Sequence, residues 1–237
     1  DKALAGVLKI FSAATVEDLI AAVGAGSHTD REVIEAIFPA AKRKRTRPAA
    51  APAKGRARKG ESALHRAVLG GHLEVATLLL DKGLPVEIAD KGRGLPIHEA
   101  AWGDQGDAIR LLVKRGSPIS PKLTDGATPL LLAAGNGRLK AIEALLEVKA
   151  DPKVLSKSGF MAIHVAAWHG QAAAVGLLID KGVKVDERIP EGKESALHIS
   201  VRRSHSTCVD TLLAKGADPN AKDGTGFRPL HLAVIQK

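Results

Sequence analysis

The chain has 237 residues, 45% of them apolar, with 35 Lys and Arg against 26 Asp and Glu and a formal net charge of +9. That is enough apolar length to bury a core in one or two domains, and a single cysteine excludes an internal disulfide and fits a reducing compartment. No apolar run is long enough to cross a bilayer and no signal peptide is visible, so a soluble protein is expected, cytoplasmic, or nuclear if the source is eukaryotic. The chain does not begin with Met, its sole Met being Met161, and is expected to be a piece of something longer.

Residues 1–39 read as a small helical segment. "TVEDLIAAV" opens with Thr15 and has Asp18 three residues on; "TDREVIEAIF" opens with Thr29 and has Glu32, the pattern of a capping box. "GAGSH" connects the two and Pro39 ends the second. From residue 12 to 39 this stretch resembles a helical segment that follows the TGS domain of bacterial guanosine tetraphosphate synthetase/hydrolases of the RelA/SpoT type. The resemblance implies a bacterial source and a larger or fused protein. Nothing in the chain resembles that family's catalytic domains, so none of its catalytic residues carries over. A helix-turn-helix reader of DNA is not expected either, because neither helix carries the basic residues it would need.

Residues 40–59 form a linker rich in Ala, Pro and Gly. Lys42, Arg43, Lys44, Arg45, Arg47, Lys54, Arg56, Arg58 and Lys59 fall in it without one acid, and these nine cations equal the net charge of the whole chain. With no apolar periodicity, the segment is expected to be disordered and extended by its own repulsion. It reads first as a hinge and second as an anion-binding arm that takes nucleic acid or other polyanions weakly and in a salt-dependent way. In a eukaryote, "KRKR" would also suit nuclear import.

From residue 60 the chain repeats itself. Ala63, Pro96, Pro129, Ala162, Ala196 and Pro229 occupy one position in successive copies, 33 or 34 residues apart. The copies begin near residues 60, 91, 124, 157, 190 and 223, and the extra residue falls in the loop "RIPEGK", where an insertion costs little. Each copy reads as a short apolar helix such as Ile163–Trp168, a break near a Gly such as Gly71, Gly137 or Gly170, and a second helix. That helix has apolar residues three and four apart, as in Val75, Leu78 and Leu79, and stops at Gly83, Gly116, Gly182 or Gly216. Lys149 stands where the other copies have that Gly, and Ser204 replaces a Gly in the fifth copy.

"DGATPLLLAA" at 125–134 and "GFRPLHLAV" at 226–234 carry the pattern by which this region resembles the ankyrin repeat. The resemblance covers residues 59–237 and implies an all-α, ankyrin-repeat solenoid of about five and a half repeats, non-enzymatic, acting through a protein partner. No helix pair buries its apolar face alone, so neighbouring copies must stack into one core.

Several residues look like chemistry. His65, His98, His164, His198 and His231 share one repeat position, but Leu131 takes that place in the third copy. In ankyrin-like repeats this His is a structural hydrogen-bonding residue, and no metal site is expected. Cys208 lies near His205 and His198, yet it fills the slot of Val75, Ala108, Ala141 and Ala174 and reads as a small core residue. The glycine-rich "KGRG" and "DGTG" lack phosphate-loop spacing. No catalytic residue and no cofactor is expected.

Trp102 and Trp168 are different. They share a position where the other copies have Leu69, Gly135 and Arg202, so the repeat does not demand an aromatic there. Each either fills a local gap or anchors a partner on the concave surface that the resemblance implies. The candidate partner-binding set is Trp102 and Trp168 with Arg93 and Phe160 on the inter-repeat fingers, His169, Arg202 and Arg203. The reading is a monomeric interaction module for a protein partner. Its alternatives are polyanion binding through the basic arm, and a regulatory piece of a nucleotide-metabolising enzyme.

Overall fold

Tandem copies of one sequence pattern should give tandem copies of one local structure, and they do. The computed structural model describes residues 62–235; the two N-terminal helices and the basic linker expected from the sequence lie outside the described residues. The chain divides into two compact units, Asp1–Pro118 and Ile119–Lys237.

The first unit contains α1 (Ala63–Leu69), α2 (Leu73–Asp81), α3 (Pro96–Trp102) and α4 (Gly106–Lys114). The second contains α5 (Pro129–Gly135), α6 (Leu139–Glu147), α7 (Ala162–Trp168), α8 (Ala172–Asp180), α9 (Ala196–Arg202), α10 (Ser206–Ala214) and α11 (Pro229–Ile235). The described residues are thus all-α, with first helices of seven residues alternating with second helices of nine. Within the first unit α1 packs on α3 and α2 on α4; within the second α7 lies against α5 and α9, α8 against α6 and α10, and α9 against α11.

The starts of the first helices follow from their residues. Pro96 and Pro129 occupy the first helical turn, where a missing N–H leaves no bond unmade. Thr128 accepts the Leu131 N–H through its hydroxyl at 3.3 Å, and Ser62 accepts the His65 N–H at 3.4 Å. Small residues then let the helices approach. Ala67, Ala100, Ala133 and Ala166 are fully buried, with Leu64, Ile97, Ile142, Ile163, Leu178 and Leu212 filling the space beside them.

Second helices end as the sequence predicts. Gly83, Gly116, Gly182 and Gly216 all have φ near +90°, and at Lys149 the backbone is equally left-handed, φ +71°. The N–H of Lys149 donates to the Leu146 carbonyl and that of Ala150 to Leu145 at 2.8 Å, so the lysine keeps a glycine's cap. Holding a side chain there costs up to about 1 kcal/mol. Between the two helices of a copy, Ser204 (φ +57°) keeps the left-handed turn of Gly71, Gly137 and Gly170, and so does Asp104 (φ +59°), a departure the sequence reading passed over.

Along the ends of the second helices, Arg115 pairs with Asp81 at 2.7 Å in the first unit. Lys181 pairs with Glu143 and Lys215 with Asp180 in the second. Each bridge joins one copy to the next. All are partly exposed, so each contributes at most about 1 kcal/mol.

Candidate partner-binding surface

The repeated histidines are structural, as expected. In the first copy His65 Nδ1 accepts the Ser62 N–H at 3.1 Å, which places the proton on Nε2, and Nε2 donates to the Gly94 carbonyl at 3.0 Å. His198 repeats the arrangement with Ser195 and Phe227. Each ring therefore fastens a first helix to the finger that follows it. His164 does half of this. Its Nε2 donates to the Glu187 carbonyl at 2.9 Å, but Nδ1 is buried without a partner, lacking the backbone N–H that Ser62, Leu95 and Ser195 each donate to the histidine of their own copy. Burial lowers its pKa to about 4, with the Glu187 hydrogen bond acting the other way.

Among the described residues no group of His, Cys, Asp and Glu could hold a metal ion. Cys208 is fully buried, and burial raises its thiol pKa, against a smaller opposite effect of the Ser200 hydroxyl. It is the core residue the sequence predicts, not a nucleophile.

The aromatic position is where the copies diverge. At the C-terminus of α3, Trp102 is 40% exposed, and Arg93 lies exposed on the preceding finger with φ +64°. Both belong to the first unit. In the second unit Phe160, Trp168 and Arg203 form one cluster. The Phe160 ring lies 5.5 Å from that of Trp168, tilted by 54°, and the Arg203 guanidinium carbon sits 4.3 Å from the Trp168 ring centroid. Phe160 arrives from a finger held by its N–H donating to the Ser156 hydroxyl at 3.2 Å. Trp168 is half-buried and ends α7.

Its backbone is fixed from the next copy. His205 Nε2 donates to the Trp168 carbonyl at 3.0 Å, and the His205 ring lies so close over Gly170 that a Cβ there would come within 2.9 Å of it. His205 is a positioning residue that the sequence reading considered only beside Cys208. His169 is exposed, its ring next to Gly135, the residue that replaces Trp in the third copy. Arg202 does not join the cluster; both its terminal nitrogens donate to the Glu194 carboxylate. The nine cations of 42–59, named above as an anion-binding arm, lie outside the described residues.

No helix among the described residues is long and apolar enough to cross a membrane. Family models described as ankyrin repeats match residues 64–113, 97–189 and 193–224, and the RelA/SpoT AH domain model matches residues 1–38. The chain is 32% identical, over 73% of its length, to the E3 ubiquitin-protein ligase KEG of Arabidopsis thaliana, of which it covers 9%. Over 69% of its length it is 31% identical to ankyrin repeat and SOCS box protein 3 of Bos taurus, of which it covers 32%. It therefore spans about a third or less of these two relatives. Among solved structures, the human ASB11 ankyrin repeat domain matches with a TM-score of 0.64 and 27% identity, over 73% of this chain and 77% of that one. The ankyrin repeat domain of Bcl-3 matches at 0.65 and 28%, over 74% and 80%.

Proposed function

The chain belongs to the ankyrin-repeat family, a protein–protein interaction module, and we propose that its partner docks on the face made by the fingers and first helices. The observation that supports this is the Phe160–Trp168–Arg203 cluster, at a position where three other copies have Leu69, Gly135 and Arg202. A half-exposed aromatic with a guanidinium stacked on it has the composition of an interface anchor. Trp102 and Arg93 present the same residue types on the first unit, and His169 and Arg202 adjoin Trp168 and Arg203 in sequence. The repeat region acts by binding.

A partner captured on the immobilised full chain provides the test. Trp168→Ala and Trp102→Ala should each weaken it by about 2 kcal/mol or more in titration calorimetry, with the melting temperature nearly unchanged. Unchanged affinity in both variants would sink this reading.

The composition of residues 42–59 supports a second function in the same chain, weak polyanion binding. In a filter-binding titration the affinity for nucleic acid should fall steeply with salt, and should vanish when the nine cations become Ser. The match of residues 1–38 to the RelA/SpoT AH domain supports a third reading, a regulatory piece of a nucleotide-metabolising protein. The flanking coding sequence tests it: no such catalytic domain beside these residues would remove it.

A further inference from the structure

In the second unit the carboxylates are spent unevenly. On the second helices, Lys181 and Lys215 are each neutralised, by Glu143 and Asp180. On the fingers and first helices, Lys157 and Arg188 are bound only to backbone carbonyls, those of Thr124 and Lys222, and Arg203 only to the Trp168 ring. Asp125 and Asp223, each on another finger, accept N–H groups of their own turns, and Glu187 pairs with Lys153. Glu194 is occupied by Arg202. On this face Lys153 and Arg202 are thus paired with carboxylates, while Lys157, Arg188 and Arg203 are held without one.

From this we propose that the partner seated on the Phe160–Trp168–Arg203 cluster is an acidic peptide segment, with a carboxylate beside a large apolar side chain. The inference rests on the reading that this face is the docking site. A guanidinium held over an indole keeps N–H groups available, and a carboxylate takes two of them side by side. The stack also fixes where that carboxylate must lie, so less freedom is lost on binding. The apolar neighbour then covers the open faces of Phe160 and Trp168, while Lys157 and Arg188 steer acidic residues to either side.

Fluorescence anisotropy of the full chain tests this with a labelled peptide whose core is Glu-Glu-Leu-Phe-Glu, alongside its all-Gln and all-Lys counterparts. The acidic peptide should bind at least about tenfold more tightly than the Gln peptide, and the Lys peptide should not bind. Arg203→Gln should remove about tenfold from the acidic peptide and nothing from the Gln peptide, while Lys140→Gln, on an exposed turn of α6, changes neither. Because residues 42–59 are themselves basic, the titration is repeated with those nine cations changed to Ser. Acidic-peptide binding that disappears there but survives Arg203→Gln overturns the proposal, as does equal binding of the Glu and Gln peptides. A neutral or basic partner that still depends on Trp168 overturns the acidic chemistry and leaves the docking face standing; a captured partner indifferent to Trp168 and Trp102 overturns both.

Discussion

Leu197 and Leu230 are the same residue at the same repeat position, one copy apart, and they live in different worlds. Leu197 on α9 is 2% exposed, whereas Leu230 on α11 is 71% exposed. Val234 on α11 is 67% exposed at the position where Ala167 of α7 is fully buried. Both helices are seven residues long, so the local pattern specifies the helix and says nothing of its burial. Burial comes from the neighbours: α9 packs against α7, α10 and α11, while α11 packs mainly against α9. In a stacked array a side chain's energetic value is a property of the stack.

The sharpest way to break that comparison is to shorten both leucines. Leu197→Ala should cost about 3 kcal/mol in guanidinium unfolding, by lost burial and the cavity left behind. Leu230→Ala should cost under about 0.5 kcal/mol. Similar losses would show that α11 is packed in solution, and so would hydrogen exchange as slow over 223–235 as over α9.

Next in size is the acid limb of stability. His164 titrates near 6.5 when unfolded and at about 4 when folded, so the unfolded chain takes up a proton first as pH falls. The contribution of His164 to stability is therefore complete above about pH 6.5, falls between there and pH 4, and is level below, a loss of about 3 kcal/mol from this group. His164→Leu, copying Leu131 of the third copy, should flatten that limb in urea melts at pH 7 and 4.5. His231→Leu, on the exposed helix, should leave it as it is. A limb equally steep in His164→Leu would assign the acid loss to other groups.

A third change strengthens the interior. Lys149→Gly relieves the left-handed backbone at the end of α6 and should raise stability by up to about 1 kcal/mol. A lower melting temperature would mean the lysine makes a contact worth more than its strain. Smallest is Lys215→Met, which removes the exposed bridge to Asp180 and should cost about 0.5 kcal/mol, diminishing further in high salt. A larger loss that persists in high salt would show that the Lys215 stem packs as well as pairs.

The period of the sequence makes most of this fold legible, because each helix start, each glycine turn and each histidine recurs at a fixed spacing. Lys149 could be foreseen as left-handed for that reason, by comparison with Gly182. Asp104 was as open to the same comparison and was not drawn into it. The cluster is harder. Phe160 and Trp168 are close in sequence, but Arg203 reaches the indole from the next copy, and the neighbouring Arg202 points to Glu194 instead. Nothing in the two adjacent arginines distinguishes them until the helix geometry sends each its own way. Nor could the pairs between copies be read, since Glu143–Lys181 and Asp180–Lys215 join residues 38 and 35 apart on different helices.

The histidine fastening also gives the chain an order of assembly. His65 and His198 each reach a carbonyl 29 residues further on, and His164 one 23 further on. In a chain made from its N-terminus, a copy can form its helices as soon as it emerges. Its ring nitrogen finds its carbonyl only after most of the following finger has left the ribosome. Each of these three copies is thus locked by its successor, through latches that close one copy behind the growing end.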